Sequence, residues 1–366
     1  MLVGPWKWTT GGVTTFMNNV ANSSLAAEYE IVRFNIARPP KRNVTDNYGY
    51  GAIFKGGVGR LLAGALITLW HIAIFPLVLL VKRPDVVQIQ SSDFQVFWEC
   101  SLYVRIARSF RIPVLMRLGG AFDHFYSVSS ARARAAIRRV LLWPDRLIVQ
   151  SQYWRQTVET LGRTEDIVVL PNSVPDSLVA AERMDTGALP VCFFAAGSEA
   201  VRKGFDDIME AMRLLRAGGT IAALHIAAAS PELDQKLSKA GLGESATSEG
   251  FLSHTQLLDA MRRAQIFLLP SRAEGFPNAL VEAMALGLAP IVTPVGAIPE
   301  IIEGTGAPIV PAKDTAALAQ AVAQLVSDAA LRVRIGNASR DAVKSRYVHS
   351  AVMPILGAAW KSAAQR

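Results

Sequence analysis

The sequence has little of what builds disulfides, metal clusters and dinucleotide-binding turns. It contains two cysteines in 366 residues, Cys100 and Cys192, each in an apolar context. So few cysteines exclude a disulfide framework and fit a reducing cytosol. No Asp-x-Asp and no cluster of His and Cys occurs, so we predict no metal site and no cofactor. The G-x-G-x-x-G fingerprint is also absent, which argues against a dinucleotide-binding enzyme.

Charged residues are scarce as well, at 19% of the chain against 51% hydrophobic residues, and this ratio indicates a globular protein. Residues 1–5 hold neither a basic leader nor an apolar run, so no cleavable signal peptide is predicted. The length predicts two domains, which we place at residues 1–175 and 190–348 with a polar connector at 176–189. Strand-length apolar runs alternate with helical stretches, which predicts an α/β fold with parallel sheets.

The positive charge lies in the first half of the chain. Residues 1–175 hold 20 Lys and Arg against 11 Asp and Glu, a net charge of +9, whereas residues 176–366 have a net charge of −1. A basic domain of this kind faces an anionic partner. No helix-turn-helix, zinc-finger or RNA-binding pattern is present, so we expect no nucleic acid partner. An anionic membrane surface is the better candidate.

One stretch combines a strand, a loop and a helix with two carboxylates. Residues 264–269 are an apolar run, Pro277 suits the first position of a helix, and Gly287 suits its end. Glu274 then lies in the loop and Glu282 about one turn inside the helix. A helix start attracts phosphate, and carboxylates accept hydrogen bonds from sugar and ribose hydroxyls. The alternative interpretation is two surface glutamates near a helix start.

The residues around this pair carry a family resemblance. The motifs are Pro-Ser-x-x-Glu-Gly-Phe-Pro at 270–277, Glu-Ala-Met-Ala-x-Gly at 282–287 and Val-Gly-Ala-Ile-Pro-Glu-Ile at 295–301. Together with the Glu, seven residues, Glu spacing, they resemble the retaining, nucleotide-sugar-dependent glycosyltransferases of family four. That resemblance implies the GT-B fold, with two Rossmann-like domains facing across a cleft. It also implies metal-independent transfer with retention, and a final helix, residues 349–366, that returns to the first domain.

The resemblance also assigns roles to individual residues. It implies that Glu274 contacts the donor sugar and Glu282 the ribose, and that Lys203 neutralises the leaving diphosphate. The family arginine directly after the glycine is Ser198 here, following Gly197, so we expect Arg202 to supply its charge. The remaining donor-binding residues form the N-terminal glycine turn and the start of the helix after the loop: Gly11, Gly12, Gly275, Phe276 and Asn278.

One departure from the family pattern affects the first domain. The family histidine before a glycine pair is Leu118 here, and His124 lies close to it in sequence. Such a change favours an alternative function, a non-catalytic GT-B component that binds a sugar nucleotide or a partner within a polysaccharide-synthesis complex. A GT-B epimerase is a third hypothesis, but it needs acid and base groups that the pattern does not supply.

Two further stretches suggest a membrane. Residues 61–81 are almost wholly apolar, and we weigh a buried or membrane-surface helix, a transmembrane span and a re-entrant segment. A span would separate Gly11 and Gly12 from Glu274 across the bilayer. Residues 129–142 predict an amphipathic helix with an arginine face, made of Arg132, Arg134, Arg138 and Arg139. This face is either a solvated charged surface or a contact with lipid phosphates. We therefore predict a cytoplasmic enzyme, peripheral on the inner face of the membrane, that uses a nucleotide-diphosphate sugar and a lipid-linked or oligosaccharide acceptor.

Overall fold

The structure is a computed structural model, and it describes residues 1–6, 12–37, 57–120, 122–181, 190–195, 200–227, 230–243, 245–250 and 252–365. The chain divides into two compact units. The first comprises Met1–Ser173 and His349–Arg366, and the second comprises Val174–Val348. Both units are layers of helices on a parallel sheet, as the alternation of strands and helices predicts.

The sheet of the first unit has six parallel strands in the order β2-β1-β3-β4-β5-β6. Their bounds are β1 Leu2–Gly4, β2 Arg33–Asn35, β3 Val87–Gln90, β4 Val114–Arg117, β5 Arg146–Val149 and β6 Ile167–Val169. The helices of this unit are α1 Gly12–Ala21, α2 Leu25–Glu28, α3 Gly57–Lys82, α4 Phe94–Ser109, α5 Phe122–Val128, α6 Ala131–Leu141, α7 Gln152–Thr160 and α16 His349–Ala364. Strand β2 lies on one side of β1 and the later strands lie on the other side, so the strand order reverses between β1 and β3.

Apolar residues cover both faces of this sheet, because its strands are buried on both sides. On one face, Val87, Ile89 and Met116 pack with α3 and α4. On the other face, Leu115 and Ile148 pack with α1 and α16. The indole of Trp360 on α16 donates a hydrogen bond of 2.6 Å to the Gln88 side chain. The last helix therefore belongs to the core of the first unit.

The sheet of the second unit has five parallel strands in the order β11-β10-β7-β8-β9. Their bounds are β7 Val191–Ala195, β8 Ala223–Ala227, β9 Ala246–Ser248, β10 Ile266–Leu269 and β11 Ala289–Val292. The helices are α8 Asp176–Val179, α9 Phe205–Ala217, α10 Pro231–Lys239, α11 His254–Arg262, α12 Asn278–Ala285, α13 Ile298–Ile301, α14 Thr315–Ser327 and α15 Ala329–Arg346. Strands β7 and β10 are neighbours in register, with Cys192 opposite Ile266. Here too the strand order reverses, between β7 and β10.

One local expectation needs correction, and the structure adds detail to two others. Pro277 is the cap before α12, so the helix begins one residue later than expected. The connector predicted at 176–189 opens with the short helix α8, and residues 182–189 lie outside the described residues. The apolar stretch at 61–81 belongs to the longer helix α3, and it is not a buried helix: only 11% of its apolar stretch is buried. One face of α3 packs on the core, and the rest faces outward.

Candidate functional site

The loop after β10 places Glu274 in a buried position. Its side chain is 8% exposed and accepts a 2.8 Å hydrogen bond from the Ser271 hydroxyl. Ser271 is itself fixed, because its carbonyl accepts a hydrogen bond from the hydroxyl of Thr293 at the end of β11. Residues at the carboxyl ends of two neighbouring strands thus hold the carboxylate in one orientation. Such pre-positioning suits a group that must meet a ligand hydroxyl at a defined point.

The segment after β7 brings two cations to the same edge of the sheet. Arg202 Nη1 lies 3.5 Å from Glu274 Oε1, and it also donates to the carbonyl of Ala273. Lys203 Nζ donates a 3.1 Å hydrogen bond to the carbonyl of Ala195, the last residue of β7. The carboxyl ends of β7 and β10 flank the reversal of strand order, which is where ligands bind in open α/β sheets. The structure therefore brings Glu274, Arg202 and Lys203 to that edge.

Two glycines allow the loops around Glu274 to approach closely. Gly204 has a φ of 86°, and a Cβ there would lie 2.3 Å from the carbonyl oxygen of Pro270. Gly296 has a φ of 56°, and a Cβ there would lie 2.0 Å from the carbonyl oxygen of Glu274. Both positions are in the left-handed region, which favours glycine. The backbone on either side of Glu274 is thus held by contacts that no other residue permits.

Glu282 lies on α12 and is 6% exposed. Its Oε1 is 2.8 Å from Nε2 of His254, whose side chain is 54% exposed. This hydrogen bond raises the pKa of His254, because the carboxylate stabilises the imidazolium more than partial burial disfavours it. The sequence does not predict the pairing of His254 with Glu282, because it indicates only that His254 lies near the start of a helix. The signal that fixes that start is a capping box between Ser253 and Gln256.

The predicted donor-binding residues at the start of α12 lie in one loop. The carbonyl of Gly275 accepts a 3.3 Å hydrogen bond from the amide of Ala297. The ring of Phe276 packs edge-on against Tyr347, with centroids 5.7 Å apart. Burial raises the pKa of Tyr347 to about 12, so its hydroxyl stays protonated at neutral pH. Asn278 is the first residue of the helix. The side chain of Phe276 thus anchors the loop and leaves the backbone to meet a ligand.

In the first unit, Gly12 is the first residue of α1, and Gly11 lies outside the described residues. Leu118 is 4% exposed and helps line a small pocket at the carboxyl end of β4. His124 lies on α5, where its ring is 6.1 Å from the ring of Phe94. The structure therefore supplies an apolar side chain, not an imidazole, at the position of the family histidine.

Arg117, at the end of β4, is a buried cation that sequence reasoning did not single out. It is 1% exposed, donates a 2.6 Å hydrogen bond to the Asn172 side chain, and lies 3.8 Å above the ring of Phe16. Burial lowers the pKa of Arg117 to about 9. It joins α1 to the segment that leads out of the first unit. Arginine is usually exposed, and the burial of Arg117 is a result of tertiary packing.

The amphipathic helix predicted at 129–142 is confirmed as α6. Ile137, Val140 and Leu141 are buried, and the four arginines are exposed. Arg134 and Arg138 both lie over the ring of Tyr126, at 6.0 and 5.9 Å. Among the residues that the structure describes, no group of three His, Cys, Asp or Glu could hold a metal ion.

Comparison with known proteins identifies relatives of both halves. A family model described as Glycosyltransferase Family 4 matches residues 10–178, and one described as Glycosyl transferases group 1 matches residues 189–328. The lipopolysaccharide core biosynthesis mannosyltransferase LpsB of Rhizobium meliloti (strain 1021) is 37% identical over 112 residues. That alignment covers 30% of this chain and 30% of the length of LpsB.

Solved structures with the same architecture span nearly the whole chain. Sucrose-phosphate synthase from Thermosynechococcus elongatus has a TM-score of 0.78 and 16% identity, over 99% of this chain and 98% of that chain. HepE from Anabaena, in complex with UDP-glucose, has a TM-score of 0.71 and 14% identity, over 100% and 99% of the two chains. At such low identity these likenesses establish the fold and nothing finer.

Proposed function

Because the chain belongs to the glycosyltransferases of group 1 and family 4, with the GT-B fold, we propose that it moves a sugar from a nucleotide diphosphate sugar to an acceptor hydroxyl. The observation that carries this proposal is the meeting of Glu274 and Arg202, 3.5 Å apart, where the strand order reverses. A buried carboxylate and two cations at this point suit a ligand with both hydroxyls and phosphates. The complex of HepE with UDP-glucose supports a sugar nucleotide as donor.

We assign the donor contacts within the second unit as follows. Glu282 accepts the ribose hydroxyls, and the amides at the start of α12 face the diphosphate, where the helix dipole favours negative charge. Glu274 accepts hydrogen bonds from the sugar. Lys203 offsets the charge of the leaving diphosphate, and the Arg202 guanidinium adds a second positive charge at the same edge of the sheet.

The proposed reaction retains the anomeric configuration and needs no metal. The bond from the anomeric carbon to the diphosphate oxygen breaks, and the acceptor oxygen bonds to the same face of that carbon. The acceptor proton passes to the departing phosphate oxygen. Positive charge from Lys203 and from the start of α12 would stabilise the departing diphosphate in place of a divalent cation.

The acceptor we propose is a lipid-linked or polysaccharide precursor on the cytoplasmic face of the membrane. The LpsB relative is named for lipopolysaccharide core biosynthesis, which supports a glycan acceptor. The first unit supports the location, because it carries the excess positive charge and the exposed arginines of α6. Arginines on an exposed helix face suit anionic headgroups next to the acceptor.

A second candidate function rests on Leu118. With a buried leucine in place of the family histidine, the protein would bind a sugar nucleotide without transferring the sugar. Titration calorimetry with UDP and GDP sugars, followed by an assay of donor consumption with membrane lipid extracts, separates the two candidates. Donor consumption with a product of retained configuration supports the transferase. Tight binding with no consumption supports the non-catalytic candidate, and absence of binding contradicts both.

A further inference from the structure

Helix α3 has an unusual distribution of apolar residues. One face enters the core of the first unit, where Phe75 is 0% exposed and Leu79 is 1% exposed. The ring of Phe75 lies 5.0 Å from those of Phe34 and Tyr103. These contacts attach the C-terminal half of α3 to β2 and α4. The inner face therefore has its partner within the protein.

The opposite face of α3 is equally apolar and faces outward. Its large side chains are more than half exposed and lie on one side of the helix, at spacings of one, three, four and seven residues. They are Leu62, Leu66, Leu69, Trp70, Leu77, Leu80 and Val81. We call this set the α3 stripe. A stripe of apolar side chains this long marks a surface that a partner covers, because isolated apolar residues on a soluble surface do not align in this way.

A transmembrane span does not fit these contacts. The helix is long enough to cross a bilayer, with a predominantly apolar stretch of 21 residues at Leu62–Lys82. A span, however, would bring the elements packed against α3 into the bilayer, and Phe75 and Leu79 lie among residues of a parallel sheet and its helices. The neighbouring helix α4 also exposes Arg105 and Arg108 to the surroundings. The sheet and these arginines would have to enter the hydrocarbon with α3, which their polar groups forbid.

We propose that α3 lies in the plane of a membrane, with the α3 stripe among the acyl chains of one anionic leaflet. The charges around the helix fit this partner: Lys82 and Arg83 at its C-terminal end are exposed, and residues 1–175 have a net charge of +9. The stripe carries no side-chain hydrogen-bonding group except the Trp70 indole, and indoles favour the membrane interface. The inference extends the proposed membrane location, but it rests on contacts of the first unit alone.

Trp70 provides a direct readout, because its side chain is 64% exposed in the middle of the stripe. The full chain is mixed with anionic vesicles that contain lipids brominated either near the headgroup end or near the methyl end of the acyl chain. The chain has seven tryptophans, so the signal of Trp70 is obtained by difference from Trp70→Phe. We expect stronger quenching from bromine near the headgroup end. Stronger quenching at the methyl end would indicate a span and overturn the proposal.

The paired variant Leu66→Glu/Leu69→Glu tests the stripe itself. We expect its partition into anionic vesicles to fall more than about a hundredfold, since two apolar groups are replaced by charges that anionic lipid repels. Val333→Glu on α15, 48% exposed in the wild type, is the matched control and should bind as the wild type does. Circular dichroism verifies that the variants fold.

Two other outcomes contradict the proposal. If the double variant binds vesicles normally but changes from dimer to monomer in light scattering, the stripe contacts a second copy of the chain. If neither partition nor oligomeric state changes, the stripe does not face lipid. Calorimetry with a nucleotide is run in parallel on the wild type and the double variant. Absence of vesicle binding by a wild type that binds the nucleotide contradicts this inference alone. Absence of nucleotide binding by a wild type that inserts into vesicles contradicts the proposed transfer reaction alone.

Discussion

Nε2 of His254 lies 2.8 Å from Oε1 of Glu282; His254 is the first residue of α11, and Glu282 is the fifth residue of α12. The carboxylate is buried, whereas the imidazole is half exposed. The Glu282 carboxylate, which we assign to the ribose, therefore already has His254 as a hydrogen-bond partner when no donor is bound. Binding of a ribose to Glu282 must either share the carboxylate with His254 or displace the imidazole.

Removal of the Glu282 carboxylate should weaken nucleoside diphosphate binding. We expect Glu282→Ala to cost roughly 1–3 kcal/mol, the range for a lost hydrogen bond to a charged group. Titration calorimetry measures the change. Glu303→Ala is the control, because the Glu303 side chain is 79% exposed and lies outside the site. Equal affinity in wild type and Glu282→Ala would refute the assigned role.

The His254–Glu282 pair should make stability depend on pH. The pKa of His254 is raised from its usual value of 6.5 by the hydrogen bond to Glu282, so the charged pair forms more readily in the folded state. Its contribution to stability is complete below pH 6.5 and is lost as the pH rises through the raised value. We expect the melting-temperature difference between wild type and His254→Gln to shrink above pH 6.5. A constant difference across this range would mean that the pair does not titrate.

Lys203 should matter for turnover more than for folding. If it offsets charge on the leaving diphosphate, Lys203→Ala should lower kcat by about a hundredfold or more, as loss of one preorganised donor does elsewhere. The melting temperature should change little. Lys239→Ala, an exposed lysine on α10, is the control. Wild-type kcat in Lys203→Ala at saturating donor would place the side chain outside the reaction.

The close approach of Gly296 to Glu274 predicts a strong local effect. In Gly296→Ala the new Cβ would meet the Glu274 carbonyl oxygen at 2.0 Å, at a φ of 56°. Gly304→Ala is a matched control, because φ is 79° and nothing lies within 4 Å of the new Cβ. The control should lose about 1–2 kcal/mol from backbone strain alone, and Gly296→Ala should lose more. Denaturant unfolding tests this, and equal losses would show that the loop yields freely.

The arginines of α6 should contribute electrostatic attraction to lipid. Each is worth about 1 kcal/mol near an anionic surface, so Arg134→Glu/Arg138→Glu should weaken binding to anionic vesicles at least thirtyfold at low salt. Co-sedimentation at low and high salt measures the change. Arg334→Glu/Lys344→Glu makes the same charge change on α15 of the second unit. Binding that ignores both charge and salt would remove α6 from the membrane contact.

Local patterns in the sequence were enough for several elements. The strand, loop and helix around Glu274 and Glu282 follow from apolar runs bounded by proline and glycine, because these signals act within a few residues. The amphipathic face of α6 follows from residue spacing in the same way, with Ile137 and Val140 inside and the arginines outside. Alternation of such elements predicts parallel sheets. Local signals fix the end of a helix less exactly, because α12 begins one residue after Pro277.

Contacts between distant segments were decided only by the tertiary structure. His254 and Glu282 are 28 residues apart, and Arg202 reaches the Glu274 loop from the neighbouring strand, so neither pair has a sequence pattern. The stretch at 61–81 is apolar on every side, and its sequence therefore cannot say which face is covered. Packing of Phe75 and Leu79 against the first sheet selects the inner face. The same packing leaves the α3 stripe exposed, because a helix on the outside of a sheet can bury only one side.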